Sequence, residues 1–205
     1  MLRPAVPSRR FVDLRQSLYR DVSSYALAAS ATGVAALALA PPASAQIVYT
    51  PAHGVIHSGE KMFIDFNHDG LNDVMVREIA FPSSYSNAVQ AVPAPPGGGI
   101  QLGLAYGGAA ALPAGALIGS RRHFFSRSID MAHVDDTYTS LCFGSWVGSP
   151  HAFLGVRFTI GREIHYGWAQ IDLKRELAPQ YFAVLLTGYA YETQPDVPIR
   201  AGDRG

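Results

Sequence analysis

Residues Ala152 to Ile160 read AFLGVRFTI, and Gly161-Arg162-Glu163 separates them from IHYGWAQIDL at Ile164 to Leu173. In the first run Phe153, Gly155, Arg157 and Thr159 fall on one face, and Leu154, Val156, Phe158 and Ile160 on the other. A period of two is that of a strand, not a helix. The second run alternates less cleanly, but Ile164, Tyr166, Trp168, Ile171 and Leu173 all favour extended backbone. Two such runs joined by a short Gly-containing turn predict a β-hairpin. A hairpin cannot bury its apolar face alone, so the rest of the chain has to supply more sheet.

The remaining sequence supplies it. Ile47–Thr50, Met62–Phe66 and Val74–Ile79 read as strands, and Gln180–Tyr191 (QYFAVLLTGYAY) as a further strand, buried throughout if its apolar run is taken literally. Between Val92 and Gly119 repeated Pro and Gly break regular structure, leaving room for one short strand near Ile100–Tyr106. That segment is Ala-rich and too apolar for a solvated linker, so it belongs inside the domain. No sustained 3.6-residue period occurs after residue 45. The expected fold is all-β, an antiparallel β-sandwich of jelly-roll or lectin-like type over 46–205.

A helical signal segment is expected to precede it, over residues 1–45. Arg3, Arg9, Arg10, Arg15 and Arg20 make the N-terminus basic, and Tyr25 to Ala40 carries no charge. Pro41-Pro42 stops a helix from continuing, and Ala43-Ser44-Ala45 is an A-x-A cleavage site before Gln46. The apolar run is short for a span of about 20 residues. An uncleaved N-terminal anchor is the alternative, and would keep the domain at the membrane. Ser8-Arg9-Arg10-Phe11 is only a partial twin-arginine pattern. Either way, the domain is expected outside the cytoplasm.

Charge excludes one class of partner. The chain has 16 basic and 16 acidic residues, and the leader holds five Arg and two Asp, which leaves 11 against 14 after residue 45. A mildly acidic domain without a basic run is not built to neutralise phosphates, so nucleic acid is excluded. Arg121-Arg122 is the basic pair of note and reads as a solvated loop edge. Cys142 is the sole cysteine, so no internal disulfide forms, and its apolar neighbours Leu141 and Phe143 predict a buried, inert thiol.

One motif carries a mechanism. Asp65-Phe66-Asn67-His68-Asp69-Gly70-Leu71-Asn72-Asp73 reads D-x-N-x-D-G-x-x-D. Side-chain oxygens of Asp65, Asn67, Asp69 and Asp73 and the carbonyl of Leu71 can converge on one Ca²⁺, and Gly70 permits the sharp turn. An EF-hand would need Glu where Val76 stands, and the flanks alternate as strands, so a calcium loop between strands is expected. The competing reading is a metal-free turn rich in Asn, Asp and Gly.

Other constellations are weaker. Asp130, His133, Asp135 and Asp136 read as a solvated loop rather than a metal or acid/base site. His53 and His57 would align only on a helix, which Pro51, Gly54 and Gly59 oppose. Tyr166 and Trp168 share a strand face and could stack on a sugar, but core packing is the favoured reading. None of Ser120, Ser126, Ser128, Ser145 and Ser149 stands in G-x-S-x-G, and Glu163 and Asp172 are isolated carboxylates.

Phe153-Leu154-Gly155-Val156-Arg157-Phe158, His165-Tyr166-Gly167-Trp168 and Tyr189-Ala190-Tyr191-Glu192-Thr193, continuing through Pro198-Ile199 and Ala201-Gly202, resemble a group of uncharacterised secreted bacterial β-proteins. Members of that group often carry a D-x-N-x-D-G loop nearer the N-terminus, and some end in a Pro-Glu-Pro sorting tail, a motif this sequence does not contain. The resemblance implies extracellular placement and fold, and no activity. The expected function is therefore a non-enzymatic, Ca²⁺-binding domain for glycan or protein at a surface or matrix. A secreted hydrolase of lectin-like fold using Asp130, Asp135, Asp136 or Glu163, and a self-assembling structural protein built on the 92–119 segment, are the alternatives.

Overall fold

The Ala152–Leu173 hairpin forms as the alternation requires. In the computed structural model, which describes residues 45–81, 86–103, 107–135, 141–175 and 182–205, the two runs pair antiparallel from Ala152↔Ile171 to Ile160↔Glu163. Gly161 takes the turn at φ +65°, a conformation that costs glycine little. The leader up to Ser44 and Asp136 lie outside the described residues, as do the side chains of Asp135 and Cys142.

Thirteen strands follow in chain order among the described residues. They are β1 (Ile47–Ile56), β2 (Lys61–Ile64), β3 (Val74–Phe81), β4 (Ser86–Pro93), β5 (Gly99–Gln101), β6 (Leu117–Ile118) and β7 (Phe124–Phe125). The rest are β8 (Ile129–Asp135), β9 (Leu141–Phe143), β10 (Ala152–Ile160), β11 (Glu163–Arg175), β12 (Phe182–Glu192) and β13 (Ile199–Arg200). One sheet runs β1-β12-β11-β10-β5-β7, a second β2-β3-β4-β8-β9, and β13 pairs with β6. Every pairing is antiparallel. No helix occurs among the described residues, and so none there is long and apolar enough to cross a membrane. The protein is all-β.

Both large sheets feed one apolar cluster. Leu154, Val156 and Phe158 of β10, Ile171 of β11 and Val184 and Leu186 of β12 join Val74 and Val76 of β3, Val89 of β4 and Met131 and Val134 of β8. The opposite face of β10 and β11 is covered too. Phe153, Tyr166 and Trp168 pack with Leu112, Ile118, Ile199 and Ala201 in a second cluster. The centre of the six-stranded sheet, β10 and β11, is therefore buried on both faces, and the 110–118 segment and the C-terminal residues form the outer cover.

Several local expectations need correction. Asp130, His133 and Asp135, read with Asp136 as a solvated loop, belong to β8, in which Ile129, Met131, Ala132 and Val134 are buried. The pairing with β4 slips between Val89 and Gln90, so Met131 is an extra residue and the alternation is broken there. The predicted strand Met62–Phe66 ends at Ile64, because Asp65 and Phe66 already belong to the turn. Val92 and Pro93, placed in the broken segment, close β4. The strand expected near Ile100–Tyr106 is β5, three residues long, and 104–106 lie outside the described residues. β12 is not buried throughout but alternates, residue by residue, between buried and half-buried. Pro51 sits within β1, which is tolerated because β1 is an edge strand.

Candidate functional site

The D-x-N-x-D-G loop joins β2 to β3, whose last and first residues, Ile64 and Val74, are paired. The Asp73 N–H donates to the Ile64 carbonyl at 2.9 Å, and Ala94 N–H donates to the Asp73 carbonyl at 2.7 Å, so the end of the loop is fixed to two neighbouring segments. Within the loop the side chains work on their own backbone. Gly70 N–H donates to Asp65 Oδ2 at 2.9 Å, Leu71 N–H to Asp69 Oδ1 at 2.8 Å, and Phe66 N–H to Asp73 Oδ2 at 2.8 Å. Asn67 Nδ2 donates to Asp69 Oδ2 at 2.9 Å. His68 and Gly70 have φ of +58° and +87°, the left-handed conformation the turn needs.

Two observations show what these contacts leave over. Asp65 Oδ1 is buried and has no hydrogen-bond partner among the described residues. Asp73, 8% exposed, has its carboxyl pushed up to about 6, first by burial and further by the charges of Asp65 and Asp69, against the Phe66 N–H bond. Asp69 is held below the ordinary carboxylate range by the Asn67 amide and the Leu71 N–H. A divalent cation would satisfy the orphaned oxygen and cancel the repulsion at Asp73. In donor chemistry the set fits Ca²⁺, an ion that takes oxygen ligands. In geometry, no group of three or more His, Cys, Asp or Glu side chains among the described residues is gathered to hold a metal ion. Cation binding therefore requires carboxylates to turn from backbone N–H groups toward a common centre.

The loop is clamped to the six-stranded sheet by an aromatic contact absent from the sequence reading. Phe66 is fully buried, stacks on Phe158 at 5.0 Å and meets Tyr189 edge-on at 5.4 Å. Gly167 makes room for it, because a Cβ there would lie 2.9 Å from Phe66 Cε1 and 2.8 Å from the Ala190 carbonyl oxygen. His68 adds a contact between its Nε2 and Thr50 Oγ1 at 3.0 Å and lies 6.0 Å from the Tyr189 ring. Burial raises the Tyr189 and Tyr191 hydroxyls above their ordinary range, and the charges of Asp65 and Asp73 respectively add to this. The loop thus sits over the Tyr189–Tyr191 end of β12. The only signal in the sequence was Phe66 itself, an aromatic in a polar loop.

The other candidates are not brought together. Asp130 on β8 accepts Gln90 Nε2 at 2.8 Å, and Gln90 Oε1 in turn accepts from Arg77 and Ser128. Glu163 stands at the β10–β11 turn, in the other sheet. Asp172 is nine residues further along β11, about 30 Å at the rise of a strand, too far for a glycosidase pair with Glu163. Asp172 instead holds His151, with its Oδ2 3.2 Å from His151 Nδ1. His53 lies on strand β1, as the glycines and proline required. Tyr166 and Trp168 are 2% and 0% exposed, so both are core and neither is a stacking platform. Arg121 and Arg122 are exposed in a turn, in keeping with the loop-edge reading. They border a cleft that Gln101, Leu112 and His123 also line. Comparison of the chain with protein-family models, curated proteins and solved structures returns no match.

Proposed function

We propose that this chain is an exported, non-enzymatic binding domain that holds one Ca²⁺ in its 65–73 loop. Asp65, Asn67, Asp69 and Asp73 would supply side-chain oxygens and Leu71 its carbonyl. The observation that carries the reading is Asp65 Oδ1, a buried carboxylate oxygen without a partner among the described residues and beside two further carboxylates. A buried charged acceptor left unmade is costly, and a cation with several open coordination positions removes the cost. Bound Ca²⁺ would supply structure here, fixing the β2–β3 turn against β12.

The two large sheets around one core are read as a β-sandwich of jelly-roll or lectin-like type, presenting its surface to a glycan or protein outside the cell. Removal of residues 1–45 as a signal peptide would place it there, where calcium is abundant enough to fill a weak site. Isothermal titration calorimetry and thermal melts in Ca²⁺ and in EDTA test the metal site. The expected result is saturable binding and a higher Tm in Ca²⁺, both abolished by Asp65→Asn with Asp69→Asn. Superimposable melts in the two buffers would defeat it.

A further inference from the structure

We propose that the cleft between β5, the 110–117 segment and the 121–123 turn binds an acidic saccharide unit, a pyranose bearing a carboxylate. The inference takes its role from the binding-domain reading above but uses no residue of the calcium loop. The cleft measures about 830 Å³, within the range of small-molecule sites. At its floor lies Gln101, 6% exposed, whose Oε1 is buried without a hydrogen-bond partner among the described residues. Its position is built in. Gly155 of β10 lies beneath it, and a Cβ there would stand 2.9 Å from Leu112 Cδ1 and 3.0 Å from Gln101 Oε1.

The rim has the opposite character. Arg121, Arg122 and His123 are consecutive and exposed, and they line the same cleft. Arg122 is oriented by its Nε–H, which donates to the Leu117 carbonyl at 3.2 Å, and its terminal guanidinium nitrogens have no hydrogen-bond partner among the described residues. No described residue lining the cleft is acidic, and Ser145 spends its hydroxyl on the Ala109 carbonyl at 2.7 Å. The walls between are apolar, formed by Leu102, Leu112, Leu117 and nearby alanines.

These features narrow the ligand. Two guanidiniums select an anion, and a carboxylate suits their planar donor fork. The unpaired amide oxygen requires a hydrogen donor, which an ammonium could supply only against the repulsion of the rim. A neutral hydroxyl meets it without that repulsion. Apolar walls match the C–H faces of a sugar ring. Inorganic sulfate, which carries no hydrogen to donate, would satisfy the rim but leave Gln101 Oε1 unpaired. A fatty acid would fill the walls with the same omission.

The test is calorimetric titration of the full chain in EDTA with trimers of galacturonate, glucuronate and mannuronate, each beside its methyl ester, and with inorganic sulfate. At least one acidic trimer is expected to bind, and its ester about tenfold or more weaker. Gln101→Leu, and separately Arg121→Gln with Arg122→Gln, are each expected to weaken binding about tenfold or more, and sulfate at equal concentration is not expected to compete. Binding by no acidic trimer, equal binding of acid and ester, or unchanged affinity in Gln101→Leu overturns the proposal. The arginine variant alters exposed side chains only, so it reports on the rim even if Gln101→Leu folds poorly. A Ca²⁺-dependent melt without uronate binding defeats the cleft alone. Release of new reducing ends would defeat the non-enzymatic reading while leaving the cleft occupied.

Discussion

Phe66 and Gly167 act as a matched pair. The ring occupies space that exists because residue 167 has no side chain, and the Ala190 carbonyl on the other side of that space cannot move without disturbing the β11–β12 ladder. Gly167→Ala is therefore expected to cost about 1–3 kcal/mol by overpacking. Phe66→Ala, at a fully buried aromatic, is expected to cost about 3–5 kcal/mol and to weaken Ca²⁺ binding as well. Leu71→Ala, 71% exposed, should stay within about 0.5 kcal/mol of the parent. Urea denaturation of the three variants measures all of this, and an equal cost at positions 66 and 71 would contradict the clamp.

Asp73 makes a separate residue-scale prediction. Its carboxyl is raised to about 6 in the folded protein, so between the ordinary carboxylate range and about pH 6 the native state holds the extra proton. Its contribution then favours folding at low pH and is lost as pH rises through about 6. In EDTA the wild type should gain stability at pH 5 relative to pH 7, compared with Asp73→Asn. Saturating Ca²⁺, which needs the ionised carboxylate, should cancel or reverse the difference. A pair of melts with identical pH slopes for wild type and Asp73→Asn would remove Asp73 as the titrating group.

At the level of elements, β12 shows how a strand can hide its pattern. Its partners on β11 run Gly188↔Gln170 and Leu186↔Ile171, so Thr187 is an extra residue. Phe182, Val184 and Leu186 face the shared core before it, and Tyr189 and Tyr191 after it. The bulge switches the parity of the strand, and a mixed-parity strand reads in one dimension as a continuous apolar run. Deleting Thr187 should leave a regular strand with both halves on their present faces, because Leu186 and Tyr189 would then stand two apart. The expected outcome is retained near-UV circular dichroism and a cooperative melt, and a deletion variant that loses both would refute this account of the bulge. β8 was illegible for the same reason, with Met131 extra and with Asp130 and His133 giving it a polar look. β4 was missed because Ser86-Asn87-Ala88-Val89-Gln90-Ala91-Val92-Pro93 has small and polar residues where a strong strand signal would need large ones. β10 was legible because it keeps one register throughout its pairing with β11.

For the whole molecule, the second cluster gives the C-terminal residues a structural task. Trp168 Nε1–H donates to the Asp203 carbonyl at 3.0 Å, Ile199 and Ala201 are 2% and 3% exposed, and β13 is paired to β6. Truncation before Ile199 should uncover Phe153, Tyr166 and Trp168. Trp146 and Trp168 are the two tryptophans and both are fully buried, so a red shift of tryptophan emission on truncation reads the loss of this cover. Unchanged emission would mean that the outer face is closed without the C-terminal residues. Export is checked at the same scale, since intact mass of secreted material is expected to start at Gln46.

The sequence by itself determined the strand character of the chain, the β10–β11 hairpin and the carboxylate-rich turn at 65–73. These depend on side-chain period and on the turn preferences of Asp, Asn and Gly, which act over a few residues. Only the tertiary structure decided that Phe66 locks the loop onto Gly167, that Tyr166 and Trp168 are covered, and that Gln101 meets Arg121, Arg122 and His123 around one cleft. Those arrangements join residues far apart in the chain. They are set by register, by bulges and by which sheet faces must be buried, and the free energy that selects them belongs to whole packed surfaces rather than to any local segment.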